Sequence, residues 1–321
     1  MKKIIYIHPG YPKTATSFIQ RKFFSTHHMI NNIGKKESIN DIDRDLLNVF
    51  RQIMFKKNID QNEFIKIKNI ISSIKYDPDK INLISFEGFT QLNFEVGLEK
   101  IFRRIKKIFY ESNYQVKILV TIRAQLSMIP THYANTGKTY LKGYKRWKSF
   151  KNFINDLENI HKFQEERLLV AYNRYNYFKL LNTLNEIFSK VNVKFFIYEE
   201  LLLNQKRYFD DMAEFLEIQN NIVDNNLLPV NVTSKKGNEL RRINKYYLRN
   251  LKFVPKLFKN LKLPQKEFLR NFVANLYLDI KYFFDPVKLN NNQKAIILNY
   301  YSKNNELLSN SLNKDLKSLG Y

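Results

Sequence analysis

Apolar positions along the chain alternate between two patterns, and the switches between them mark its elements. Near-continuous apolar runs at 3–7, 81–86, 116–122 and 193–198 predict short buried strands, with 116–122 the clearest of the parallel type. Between these runs, apolar residues return every three or four positions. That spacing predicts a helix over 14–24 and two more within 41–75, with Leu46, Phe50 and Ile53, then Phe64, Ile67 and Ile71, on their inner faces. Asp77-Pro78 marks a turn. Further helices are expected over 97–110, from near Ser127, twice within 151–190 and over 207–216, and the pattern stays mostly helical after about Asn225. Strands separated by helices predict a parallel α/β sheet. With no internal repeat or low-complexity linker, 1–240 reads as one domain and 241–321 as a basic helical C-terminal extension packed on it.

The first strand runs into Pro9-Gly10 and then Pro12-Lys13-Thr14-Ala15-Thr16-Ser17, where the next helix begins. A strand that turns abruptly into a helix presents unpaired backbone N–H groups and the positive end of the helix dipole at one spot, which suits a phosphate or sulfate group. Lys13 adds a point charge, and Thr14, Thr16 and Ser17 add hydroxyl donors. The nucleotide-binding pattern G-x-x-x-x-G-K-[ST] places its lysine after a glycine-rich turn. Here Lys13 precedes the small residues and no glycine stands directly before it. The plainer reading is a strand–turn–helix with a solvated lysine.

A second candidate follows the clearest strand. Arg123 stands at the carboxyl end of 116–122, where open α/β sheets bind ligands, and Thr131 lies eight residues on in the next helix. An arginine fork plus a hydroxyl suits a phosphate monoester. Taken singly, Arg123 reads as a strand-end ion pair and Thr131 as an ordinary helix residue.

The two motifs together resemble sulfotransferases that use 3′-phosphoadenosine 5′-phosphosulfate (PAPS). Residues 12–17 match that family's 5′-phosphosulfate loop, P-K-[ST]-[GA]-T-[TS]. Arg123 and Thr131, with Tyr133 two further, match its 3′-phosphate motif, with threonine for the usual serine. Tyr198-Glu199-Glu200-Leu201 and the helix after it resemble the family's later strand-and-helix segment. The resemblance covers most of 1–240. It implies a P-loop-NTPase-like parallel sheet flanked by helices, the sulfotransferase fold, with a helical C-terminal extension. It further implies PAPS as donor, adenosine 3′,5′-bisphosphate (PAP) as product, no metal, and PAPS contacts from Pro12, Lys13, Thr14, Ala15, Thr16, Ser17, Arg123 and Thr131. Ala15 stands where glycine is commoner, and a Cβ there makes a positive φ costly. The Arg-Lys-Gly phosphate segment of some members is represented only by Ser234-Lys235-Lys236-Gly237, so Lys236 and Gly237 complete the expected contacts.

Transfer to a hydroxyl needs a general base. Glu87 directly follows the strand 81–86, with Gly88 leaving room beside it, and is the first choice; its other reading is a structural acid paired with a site cation. His132, beside Thr131, comes next. His8 and Glu37 stay open, and Glu199 and Glu200 read as structural acids that cap or pair with backbone N–H groups.

Composition widens the list of partners. With 54 Lys+Arg against 30 Asp+Glu, the net charge of +24 attracts polyanions, although a Lys-, Asn- and Ile-rich chain also reflects base composition. The absence of cysteine excludes disulfides, thiol nucleophiles and thiolate metal sites, and the five histidines fit no zinc pattern. The apolar run after Met1-Lys2-Lys3 is too short for a signal-peptide core, and no run is long enough to span a membrane. Residues 241–266 interleave basic and apolar side chains without an acid, a pattern for an anionic membrane surface or an acidic glycan, or for a helix packed on its apolar side. The expected acceptor is a carbohydrate or lipid-linked glycan, acidic ones included, with no specific nucleic acid, in the cytoplasm or peripheral at the membrane. The alternative is a basic nucleic-acid- or polyanion-binding protein without catalysis, which leaves the paired motifs unexplained.

Overall fold

The computed structural model describes residues 2–36, 38–91, 93, 95–143, 147, 149–162, 166–219 and 287–321, without the side chains of 135–143, 161 and 166–168. Glu37, Lys236, Gly237 and the basic stretch 241–266 lie outside the described residues.

Five parallel strands form one sheet in the order β2-β3-β1-β4-β5: β1 (Lys3–His8), β2 (Ile30–Asn32), β3 (Ile81–Ser85), β4 (Tyr114–Ile122) and β5 (Val193–Ile197). The apolar runs mark four of them. β4 lies between β1 and β5, and its last five residues are all buried, as a strand covered on both faces requires. The unforeseen β2 pairs with β3 at the sheet edge, where Asn31 Nδ2 donates to Asn82 Oδ1 at 2.8 Å. The chain leaving β1 returns at β2 on one side, and the chain leaving β4 returns at β5 on the other. Beyond the carboxyl ends of β1 and β4 the strand order therefore switches, the place where such sheets hold ligands.

The helices are α1 (Thr16–Ile19), α2 (Arg44–Phe55), α3 (Gln61–Ser72), α4 (Leu98–Glu111), α5 (Gln125–Gly143), α6 (Phe150–Glu158), α7 (Glu166–Asn173), α8 (Tyr177–Phe188), α9 (Tyr198–Leu203), α10 (Gln205–Phe215) and α11 (Asn291–Leu312). Capping residues set several starts: Asp43 accepts from two N–H groups of α2, and Asp60 with Glu63 closes a capping box on α3. After one α turn, α1 widens into a π turn over Gln20–Phe24. Phe18, Phe23, Leu119, Phe196 and Phe209 form the centre of one apolar cluster beside the sheet.

The described residues fall into two units, one of 2–124, 169–219 and 301–321, the other of 125–168 and 287–300. The first contains the sheet. In the second, Trp147 is fully buried, edge-on to Phe153, and donates from Nε1 to Asp156 at 3.0 Å. Among the described residues no helix is long and apolar enough to cross a membrane, and no group of three or more His, Asp or Glu side chains gathers to hold a metal.

Candidate functional site

The register sets His8 beside Ser85 at the ends of β1 and β3, so the turn after β1 runs next to the residues after β3. Gly10 takes φ +57°, and a Cβ there would fall 2.8 Å from Thr16 Cγ2 and 3.2 Å from Glu87 Cγ. The turn is closed to any side chain and brings Glu87 against the loop. Tyr11 is fully buried; its hydroxyl donates to the Arg174 carbonyl at 2.9 Å, and its own carbonyl accepts from Thr14 Oγ1 at 2.8 Å and Thr16 Oγ1 at 3.2 Å. Both threonine hydroxyls thus brace the loop from within.

Lys13 at φ 67° and Ala15 at φ 59° are both left-handed. A residue with a Cβ bears about 1–2 kcal/mol for that conformation. The cost flagged by alanine at position 15 is therefore met, and Lys13 adds a second instance. Left-handed residues at alternate positions are the backbone pattern by which successive N–H groups form an anion nest. Among the described residues, the N–H groups of Thr14, Ala15, Thr16 and Ser17 donate to no protein acceptor.

Arg123 follows β4 directly. Its Nη1 donates to the Lys13 carbonyl at 2.9 Å, and the guanidinium lies over the Tyr198 ring, 4.7 Å from its centroid. The Arg123 carbonyl accepts from Tyr177 Oη at 2.8 Å, and Tyr177 meets Tyr11 edge-on. Glu199 accepts from the Ala124 N–H at 3.1 Å and from Tyr321 Oη at 3.2 Å. Burial pushes its carboxyl above the usual range, against the Ala124 hydrogen bond. Glu199 thus pairs with a backbone N–H, and Glu200 pairs with Lys314.

Glu87 opens a 3₁₀ turn, Glu87–Thr90, and is half-buried; its carboxylate meets no donor among the described residues. The Thr90 hydroxyl donates to the Gly10 carbonyl. The fold thus joins residues 10–17, Glu87 and Arg123 in one unit. In the other unit, Thr131 donates its hydroxyl to the carbonyls of Ser127 and Met128 at 2.9 and 3.0 Å, and His132 is fully buried. Arg174, Tyr11 and Tyr177 had no sequence signal beyond the aromatic density of 172–177.

His8 is fully buried, with Nδ1 2.8 Å from Ser85 Oγ, which also accepts from Gln20 Nε2 at 2.9 Å. Burial lowers its pKa to about 3, so it is neutral at pH 7 and a weak proton acceptor. Its role is packing at the strand end. The unfolded chain takes up this proton near pH 6.5 and the folded chain only near 3, so stability is full above 6.5 and is lost as pH falls toward 3. Urea unfolding at pH 7 and pH 5 should show the His8→Gln variant losing less stability than the parent, by about 2 kcal/mol. Equal losses would contradict a buried neutral His8.

Among solved structures, a sulfotransferase from Alicyclobacillus acidocaldarius matches 100% of this chain and 100% of its own, at 12% identity and a TM-score of 0.50. At that identity the likeness is one of fold: the chain has the sulfotransferase fold. The sulfotransferase domain from the curacin biosynthetic pathway matches at 14% identity over 69% of this chain and 76% of that chain, with a TM-score of 0.36. The sulfotransferase domain from the Synechococcus PCC 7002 olefin synthase matches at 12% over 85% and 95%, with a TM-score of 0.38. Both overlaps are too loose to weigh. No protein-family model and no curated protein matches the chain.

Proposed function

We propose that the protein is a sulfotransferase that moves a sulfuryl group from PAPS to a hydroxyl of a carbohydrate or glycolipid acceptor. The observation behind this reading is the loop after β1. Four N–H groups without an acceptor among the described residues are bordered by Lys13 and the Arg123 guanidinium, with Glu87 Cγ against Gly10. These residues fit a nucleotide phosphorylated at both the 5′ and 3′ positions: the nest and Lys13 suit the phosphosulfate, and Arg123 suits the 3′-phosphate. The sequence motif adds Pro12, Thr131 and Lys236-Gly237 as contacts, with His132 as second choice of base.

PAPS would supply an activated sulfuryl group for in-line transfer to the acceptor hydroxyl, with PAP as the leaving group. The Lys13 ammonium neutralises charge that grows on the bridging oxygen. Glu87 takes the proton that the acceptor hydroxyl loses. Arg123 keeps its charge partner throughout, so it binds and orients. The stretch 241–266 would hold an acidic acceptor or an anionic membrane surface, with the enzyme in the cytoplasm or peripheral at the membrane.

Incubation with sulfur-labelled PAPS and a panel of glycans and glycolipids, without Mg²⁺, should move label to at least one acceptor and release PAP. No transfer to any of them, together with salt-dependent binding of any polynucleotide, would favour the non-catalytic alternative.

A further inference from the structure

Two buried or half-buried arginines in this chain are treated differently. Arg104 donates to three carbonyls, those of Ile53, Lys56 and Lys57, and so closes the end of α2. Arg174, just after α7, is 3% exposed; its guanidinium lies 5.8 Å from the Tyr175 ring centroid, and of its nitrogens Nη2 alone makes a hydrogen bond, to the Thr90 carbonyl at 2.5 Å. Its Nε and Nη1 are buried without a hydrogen bond, and no carboxylate among the described residues pairs with it. A buried guanidinium without a counter-charge is costly, and a structural arginine is normally satisfied as Arg104 is.

Both ends of Arg174 reach the loop. Its carbonyl accepts the Tyr11 hydroxyl, and its side chain holds Thr90, whose hydroxyl closes on the Gly10 carbonyl. The Gly10–Tyr11 turn is therefore stapled between the main chain and the side chain of one arginine. Arg123 meets the same loop from the Lys13 side, whereas Arg174 meets it from the side of Glu87.

We infer that Arg174 is a positioning residue: an uncompensated cation kept beside the Gly10–Tyr11 turn as counter-charge for the 5′ end of the bound nucleotide. It acts through the loop rather than by touching the ligand. This rests on the PAPS reading of the site. An anion in the nest completes a pair that the protein alone leaves open, and the charge reaches it through a medium of low dielectric.

Titration calorimetry with PAP tests the inference on variants that still show a cooperative thermal transition. Arg174→Gln should bind PAP about tenfold or more weakly than the parent, and Arg174→Lys should regain a clear part of that loss. Should the glutamine variant not fold, Arg174→Met takes its place as the neutral form. A neutral variant within about twofold of the parent, or a lysine variant no better than the neutral one, would overturn the inference. So would unchanged PAP affinity with a raised KM for the acceptor, which would give the charge to the acceptor instead. A parent protein that does not bind PAP at all would remove the PAPS reading itself, a different result from any of these.

Discussion

Replacing Lys13 with alanine should lower turnover about a hundred- to a thousandfold while PAP affinity falls by about tenfold or less. The asymmetry follows from when the charge is needed. Charge on the bridging oxygen is small in the bound donor and grows as the bond to sulfur breaks, so an ammonium placed there acts mainly on the transition state. Local structure makes the substitution a clean one. Lys13 is left-handed at φ 67°, and alanine also bears a Cβ, so the backbone cost is the same before and after. The loss then reports the ammonium, and steady-state kinetics beside calorimetry separates the two effects. A variant that loses affinity and turnover in equal measure would place Lys13 in ground-state binding only.

The second large effect is expected at Glu87. Glu87→Gln keeps size and shape but removes the proton acceptor, and turnover should fall about a hundred- to ten-thousandfold with PAP binding intact. Glu87 Cγ lies against Gly10 and the carboxylate has no donor among the described residues, so the amide leaves no ion pair broken behind it. Near-normal turnover would move the role to His132, tested by His132→Gln. His8 is not the next choice, because burial holds its proton affinity low.

How far the sequence carried these residues depends on what each signal was made of. Strands β1, β3, β4 and β5 were legible because a strand buried by neighbours on both sides needs an unbroken apolar run, and Ile118–Ile122 is such a run. Strand β2 was not, because Ile30-Asn31-Asn32 satisfies an edge by polar side chains and pairing with β3. The helix after the loop was expected from Thr14 but starts at Thr16, since Lys13 and Ala15 adopt the left-handed backbone that sequence rules give to glycine. The π turn at Gln20 arises from tertiary context, where Gln20 reaches Ser85.

At the site, Lys13 and Arg123 stood out because short motifs after strand ends have a physical reading on their own. Arg174 did not, because its meaning lies in what is missing around it: a partner for Nε and Nη1, which only packing can reveal. The threonines of the loop illustrate the same limit. Their hydroxyls were expected to face an anion, and they lie on the Tyr11 carbonyl, which a pattern of residue types does not specify.

On the proposed function this loop and Arg123 bind one nucleotide by two phosphates. Calorimetry with PAP, AMP and ATP in the absence of Mg²⁺ tests it most directly. PAP should bind about ten- to a hundredfold more tightly than AMP or ATP, and Arg123→Ala should bring PAP down to the level of AMP. Equal affinity of the parent for PAP and AMP, or an Arg123→Ala variant with full PAP affinity, would contradict it.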